Sequence, residues 1–190
     1  HTRKLALPGY TRRRTTNLTD VDLAGRDLHS ANLSRAILAR ADLSQADLRD
    51  ANFTSANLWS ARLVGARAKG ADLSRIWAPF GEFTGADLRE VNFAHSELTR
   101  GGFMAAQLGG ADLSWARLQH ADFTRASLAG TCFARAKLDS ARFLQTDLST
   151  ACGLTPAQVA KAVFDVESVA TLSPPLQAAV LAAWLRRQSG

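Results

Sequence analysis

The sequence has few cysteines, few histidines and no long apolar run. These absences argue against a disulfide-rich domain, a metal-binding protein and a transmembrane helix. Its two cysteines, Cys132 and Cys152, cannot form the disulfide framework of a small secreted domain, so we expect reduced thiols in a cytoplasmic compartment. No apolar run reaches the length of about 18 residues that predicts a transmembrane helix. The histidines have no metal-ligand spacing, so we expect no bound metal or cofactor. They are His1, His29, His95 and His120.

The usual signatures of an active site are missing as well. No nucleophile stands beside a base, and there is no glycine-rich phosphate loop. The chain is therefore not expected to be an enzyme. It begins at His1 without a methionine or a signal-peptide pattern, so we expect a trimmed chain or a piece of a longer polypeptide.

The net charge of +6 is concentrated at one end of the chain. Residues 16–150 carry 15 acidic and 15 basic side chains and are neutral as a segment. The first 15 residues add five positive charges, from Arg3, Lys4, Arg12, Arg13 and Arg14. This leader is interpreted either as a solvated arm or as a segment that binds nucleic acid or an acidic membrane.

A period of five residues dominates the rest of the sequence. Residues at numbers ending in 3 or 8 form 27 consecutive steps from Leu18 to Leu148; 18 are Leu, seven are Phe, and only Ala68 and Ala78 differ. Ala stands two residues earlier in 17 of these steps. Residues two apart in an extended segment share a face, so the other three residues must include a corner. Four such corners close a square coil of 20 residues.

Runs such as Ala41-Asp42-Leu43-Ser44 and Ala111-Asp112-Leu113-Ser114 resemble the pentapeptide-repeat protein family over about 135 of the 190 residues. The resemblance implies an all-β solenoid, a right-handed quadrilateral β-helix of nearly seven coils, with the Leu or Phe and the small residue pointing inward and no lumen. Residues 16–152 would form this rod, 1–15 a basic leader or cap, and 153–190 a helical cap.

Counting in twenties sorts the side chains onto four faces. One inward column should hold stacked rings, and it consists of Phe83, Phe103, Phe123 and Phe143. The opposite column alternates Phe with Leu, and its rings are Phe53, Phe93 and Phe133. The Asp or Asn before each inward residue is expected to hydrogen-bond the local backbone at a corner, which makes these acids structural before anything else.

The repeat is broken at residues 76–81, where Ala78 replaces the inward Leu. On one face we predict a partner-binding apolar patch, consisting of Ile37, Trp59, Trp77, Pro79 and Phe80, with Trp115 on the adjoining edge. A basic rim would surround it, consisting of Arg40, Arg100, Arg117, Lys137 and His120. In the alternative, Phe80 turns inward to fill the volume that Ala78 leaves empty, and Trp77 covers the gap.

Helical signals follow the last repeat. Thr155 to Gln158 has the pattern of a capping box with proline at the first helical position, which predicts a helix over about 156–163. A second helix is predicted from Ser173-Pro174-Pro175 to about Arg187. Its apolar stripe consists of Leu176, Val180, Leu181, Trp184 and Leu185, and it is a possible dimer contact. Dimers through the C-terminal end, known in the antibiotic-resistance branch of the family, point the same way.

The predicted function is a non-catalytic scaffold that presents its surface to a protein partner of unknown identity. The family resemblance also suggests an alternative, a DNA mimic that binds DNA gyrase, which would need a dense acidic face. An acidic column can be counted on one face, consisting of Asp22, Asp42, Glu82 and Asp122. Arg62, Arg125 and Arg142 interrupt that face, and the neutral rod disfavours mimicry.

Overall fold

A parallel ladder with a spacing of 20 residues organises the rod. The computed structural model describes residues 16–188. Within them, parallel bridges join residues 20 positions apart, as Asp42 to Arg62 and Arg62 to Glu82, beginning at Asn17 and ending at Cys152. One coil therefore takes 20 residues, as the period of five predicts.

Each coil has four short walls separated by four corners. In one coil the four walls are residues 41–44 (wall A), 46–49 (wall B), 51–54 (wall C) and 56–59 (wall D). Segments 20 residues before or after these belong to the same wall and carry the same letter. Each corner residue, at every number ending in 0 or 5 from 20 to 145, has positive φ. Across corner residue Gln45, Ala46 N donates to Leu43 O at 3.1 Å. A type II turn requires a positive φ at its third residue, and the corner residue meets this requirement.

The polar residue before the inward Leu or Phe supports the corner, as predicted. Oδ1 of Asp42 accepts a hydrogen bond from Ser44 N at 2.9 Å, and Oδ1 of Asn52 accepts one from Thr54 N at 2.9 Å. An Asx side chain that bonds the backbone two residues ahead stabilises a turn locally. These recurring side chains are therefore part of the scaffold.

The inward side chains fill the interior. Every residue at a number ending in 3 or 8 between positions 23 and 148 is buried. Wall A contains the predicted column of rings, Phe83, Phe103, Phe123 and Phe143. Consecutive ring centroids in this column lie 4.7, 4.9 and 5.1 Å apart, and the rings are nearly parallel. Phe93 and Phe133 from the opposite wall C meet the column edge-on.

The irregular segment at 76–81 keeps its register by exchanging the sizes of two inward residues. Ile76 occupies the position of the small residue and is 1% exposed, so it supplies the volume that Ala78 lacks. Phe80 is 46% exposed, and the alternative in which its ring turns inward is wrong. Ser96 Oγ donates to Leu73 O at 2.8 Å and accepts from Ile76 N at 3.2 Å, which satisfies the backbone beside the break.

The chain after the repeats forms a cap of short elements. In chain order the elements are β1 (Arg142–Phe143), α1 (Pro156–Val159), β2 (Val163–Phe164), α2 (Val166–Ala170) and α3 (Pro174–Gln188). Thr155 and Gln158 form the predicted capping box of α1. The prediction of a helix to residue 163 is wrong, because β2 pairs in parallel with β1 and the Phe164 ring stacks on Phe143 at 5.4 Å.

The cap provides partners for the open edge of the last coil. The side-chain amide of Gln158 donates to the carbonyls of Phe133 and Ala136, both at 2.9 Å. Thr146 N donates to Ser168 Oγ at 2.9 Å. These side chains make the hydrogen bonds that a further coil would otherwise make. Backbone groups that are already paired do not template the addition of a strand from another chain.

Helix α3 packs only part of its predicted stripe. Val180 is 1% exposed, so its place in a predicted dimer contact is wrong: its own chain already covers it. Leu176 and Trp184 are partly buried against the core, whereas Leu181 and Leu185 are exposed. No helix within residues 16–188 combines the length and the apolar character that crossing a membrane requires.

Candidate interaction surface

Three large aromatic side chains are exposed on wall D and its two corners. Trp77 lies at the outward position of wall D, Phe80 at the corner between walls D and A, and Trp115 at the corner between walls C and D. Their exposed fractions are 49%, 46% and 48%. Exposed rings of this size on an otherwise packed rod mark a contact surface. We call these three residues the aromatic patch.

The remaining predicted members of the patch contribute less. Ile37 and Trp59 are half-buried. Pro79 is buried, and its inclusion in the exposed patch is wrong. The Pro79 carbonyl accepts a hydrogen bond from Ser60 N at 3.0 Å, so this residue continues the ladder within wall D.

Cationic side chains lie over several of these rings. The Arg100 guanidinium carbon is 5.6 Å from the centroid of the Phe80 ring. The Arg135 guanidinium carbon is 4.5 Å from the centroid of the Trp115 ring, and His95 stacks on that same ring at 5.7 Å. The negative face of an aromatic ring attracts a cation, so these contacts order the guanidinium groups.

The predicted basic rim divides into paired and unpaired cations. Arg40 forms a bidentate salt bridge with Asp20, in which Arg40 Nε lies 2.7 Å from Asp20 Oδ1. The hydrogen bond from Arg40 lowers the pKa of Asp20. Arg117 Nε lies 2.8 Å from a Glu97 oxygen. Among residues 16–188, Lys137 forms no ion pair.

The family model for pentapeptide repeats matches this chain in eight copies, over residues 16–54, 51–75 and 106–151. The chain belongs to the pentapeptide-repeat family. The matched residues include all four walls of the coils at 21–39, 41–59 and 121–139 and parts of the coils beside them, whereas residues 76–105 lie outside the match. The ladder described above is the repeat array of the family.

Solved structures of pentapeptide-repeat proteins resemble this chain. A trypsin-treated form of QnrB1, a plasmid-mediated fluoroquinolone resistance protein, is 17% identical with a TM-score of 0.63, covering 91% of this chain and 93% of that one. Full-length QnrB1 is 21% identical with a TM-score of 0.53, covering 87% and 85%. HetL, involved in heterocyst differentiation regulation in the cyanobacterium Nostoc sp. strain PCC 7120, is 28% identical with a TM-score of 0.38, covering 73% and 68%. The likeness to QnrB1 implies a right-handed quadrilateral β-helix. No curated protein matches the sequence.

The acidic column of this pentapeptide-repeat protein is largely neutralised. On wall A the ladder aligns Asp22, Asp42, Glu82 and Asp122. Arg62 lies between two of them, with its Nη1 at 2.9 Å from an Asp42 carboxylate oxygen and its Nε at 3.4 Å from a Glu82 carboxylate oxygen. Arg142 Nε lies 3.7 Å from Asp122. Guanidinium groups within the column interrupt the run of negative charge that a copy of DNA needs.

A charge cluster on wall B was not predicted. The Asp47 side chain is 10% exposed and accepts two bonds from Arg49, at 2.8 and 2.6 Å, and one from Arg67 at 3.1 Å. The hydrogen bonds from Arg49 are the main cause that lowers the pKa of Asp47. Asp87 and Arg89 repeat the arrangement. The sequence signal that could have predicted this ion pair is Asp-Leu-Arg, in which the arginine follows the acid by two residues and lies on the same side of the wall.

Asp47→Asn is expected to lower the free energy of unfolding at neutral pH by about 1.5–3 kcal/mol, as for hydrogen bonds to charged groups. Because the folded-state pKa lies below the ordinary value of 3.8, this carboxylate stabilises the fold above that pH. The contribution disappears as the pH falls through the folded-state pKa. Urea unfolding from pH 7 to pH 3 should therefore show the difference between parent and variant shrinking at the acid end.

Asp50→Asn is the matched control, because the Asp50 side chain is 66% exposed and its one salt-bridge-range neighbour among the described residues is the His29 imidazole at 4.0 Å, at the edge of contact distance. This control should change the stability by about 0.5 kcal/mol or less. Equal effects of the two substitutions, or a difference for Asp47→Asn that does not vary with pH, would contradict the role assigned to Asp47.

The two cysteines lie side by side on wall C. Cys132 and Cys152 are partners in the parallel ladder, and both thiols are free. The hydrogen bond with Cys132 is the main cause that raises the pKa of Cys152 to about 11. A thiol with a raised pKa carries little thiolate at neutral pH and is a poor nucleophile or metal ligand. Residues 16–188 contain no group of three or more His, Cys, Asp or Glu side chains placed to hold a metal ion.

Proposed function

We propose that this chain is a non-catalytic rod, a right-handed quadrilateral β-helix of nearly seven coils, that binds a protein partner in the cytoplasm through wall D and its corners. The single observation that carries the proposal is the exposure of Trp77, Phe80 and Trp115, each between 46% and 49%, on one side of a packed solenoid. Solenoids present extended surfaces of this kind to partners.

The alternative, mimicry of DNA toward gyrase, has weaker support. It would use wall A, where Arg62 pairs with Asp42 and Glu82 and where Arg142 approaches Asp122. The fold likeness to QnrB1 concerns the backbone architecture and leaves the surface charge free to differ. A DNA mimic needs a dense row of negative charge, and the exposed rings of the aromatic patch do not contribute to such a row.

A pull-down tests the proposal. The parent chain and a Trp77→Ala/Phe80→Ala double variant are immobilised, and each is exposed to an extract of the cells that produce the protein. Proteins retained by the parent are expected to be lost from the double variant, because interface binding energy concentrates in buried aromatic anchors.

Met104→Ala is the matched control. Met104 is 45% exposed but lies on wall A, away from the patch, so this variant should retain the same proteins as the parent. Far-UV circular dichroism of all three proteins establishes that the rod is intact. A double variant that retains every protein bound by the parent would sink the proposal, as would a parent that retains none.

A further inference from the structure

The corner between walls C and D carries a line of basic and aromatic side chains. Arg75, His95, Trp115 and Arg135 follow one another there at 20-residue spacing, and all four are exposed. Their φ angles lie between 57° and 61°, so the four side chains leave the rod from the same backbone conformation. We call these four residues the basic ladder.

The upper half of the basic ladder is ordered before any partner binds. Trp115 lies between two neighbours, with His95 stacked on it at 5.7 Å and an interplanar angle of 15°, and with the Arg135 guanidinium carbon 4.5 Å from its centroid. A guanidinium held in place loses less conformational entropy when it binds an anion. His95 and Arg135 both pack on the Trp115 ring and so compete with any nucleic-acid base for stacking on it.

The cations of this corner have no anionic partner in the part of the chain that the structure describes. Among residues 16–188, Arg75, Arg135 and Lys137 form no ion pair. The acids near this corner have other partners: Asp139 pairs with Lys161 at 3.2 Å and Glu97 with Arg117 at 2.8 Å. On wall C, Asp72 Oδ1 accepts from Ser74 N at 2.9 Å and Asp112 Oδ1 accepts from Ser114 N at 2.8 Å. The corner therefore presents positive side chains that hold no salt-bridge partner among the described residues.

We infer that the basic ladder, together with Lys137, binds a carboxylate-rich, extended segment of a protein partner. Arg75 and Arg135 are three rungs apart, about 14 Å at the spacing of parallel strands. An extended peptide covers nearly this distance in four residues at about 3.3 Å each, so two acidic side chains four residues apart match the two guanidinium groups. The inference rests on the proposed function and adds the chemistry of the partner to it.

The test measures binding of a fluorescein-labelled oligoglutamate to the full chain by fluorescence anisotropy at physiological ionic strength. Arg75→Gln/Arg135→Gln should weaken binding by about tenfold or more, as expected for lost charge-assisted hydrogen bonds. The control is Arg26→Gln/Arg125→Gln, which removes the same charge from exposed positions elsewhere on the rod. It should weaken binding by less than about threefold. The comparison between equally charged variants cancels the contribution of the five basic residues at positions 1–15.

Oligothymidylate of the same charge forms the second arm and is expected to bind more weakly than oligoglutamate. Equal losses in the two double variants, no binding of oligoglutamate by the parent, or tighter binding of oligothymidylate that depends on Arg75 and Arg135 would each overturn the inference. The proposed function fails separately, because its pull-down depends on Trp77 and Phe80 and leaves both arginines unchanged.

Discussion

Replacing Phe123 by Ala is expected to lower the free energy of unfolding by about 3–5 kcal/mol, the usual cost of truncating a buried phenylalanine. The Phe123 ring has no exposed surface, and it stacks between Phe103 at 4.9 Å and Phe143 at 5.1 Å. The substitution leaves a cavity and removes both stacking contacts. Urea unfolding followed by circular dichroism and by tryptophan fluorescence measures the loss.

Phe80→Ala provides the comparison within the same chain, because Phe80 is 46% exposed and its ring lies under the Arg100 guanidinium at 5.6 Å. Its cost should be about 1 kcal/mol or less, the value of an exposed cation–π contact. A loss below about 1 kcal/mol for Phe123→Ala would contradict an inward ring. Because solenoids can unfold coil by coil, coincidence of the two spectroscopic signals decides whether a single free energy applies.

Gly153→Ala is expected to destabilise the rod by about 2–5 kcal/mol, combining about 1–2 for a left-handed alanine with about 1–3 for overpacking. Gly153 has φ of +74°, and an added Cβ would lie 2.5 Å from the backbone nitrogen of Ala134 and 2.6 Å from its Cα. Backbone atoms of the preceding coil cannot move aside as a flexible side chain would. Thermal and urea unfolding should both show the loss.

Gly85→Ala separates the steric effect from the conformational one. Gly85 also has a positive φ, +65°, but an added Cβ there would have no atom within 4 Å. Only the left-handed strain of about 1–2 kcal/mol is expected. Similar losses at the two glycines would mean that the junction between the last coil and the cap is looser than the contact with Ala134 implies.

The separation between core and surface makes the functional tests practicable. The inward residues carry the stability through contacts between neighbouring coils. Trp77, Phe80, Arg75 and Arg135 project from a wall or a corner, so their replacement should leave the rod folded. Loss of binding in those variants can then be assigned to the surface.

The cap shows where prediction from sequence reached its limit. The capping box of Thr155 and Gln158 was predictable because it depends on residues three apart in the chain. Strand β2 was not, because Val163 and Phe164 continue a helical pattern and become a strand only by pairing with Arg142 and Phe143. Such pairing depends on a partner 21 positions away, which a local pattern does not contain.

The irregular wall shows the same division. The sequence located the break at Ala78 but left open whether Phe80 filled the space or faced solvent. In the structure, Ile76 is buried and fills the interior space beside Ala78, so Phe80 remains exposed. Ser96 of the next coil accepts the hydrogen bond from Ile76 N. The burial of Pro79 likewise depends on the coil above and below it.

By itself, the sequence determined the coil of 20 residues, the inward Leu and Phe columns, the alignment of the acidic column and the neutral charge of the rod. A strict period without insertions converts residue number directly into position on a wall, so these features required only counting. The tertiary structure alone decided which aromatic side chains remain exposed, which cations are paired and how the last coil is closed. Those outcomes depend on side-chain contacts between coils and on the folding of the cap, neither of which the period specifies.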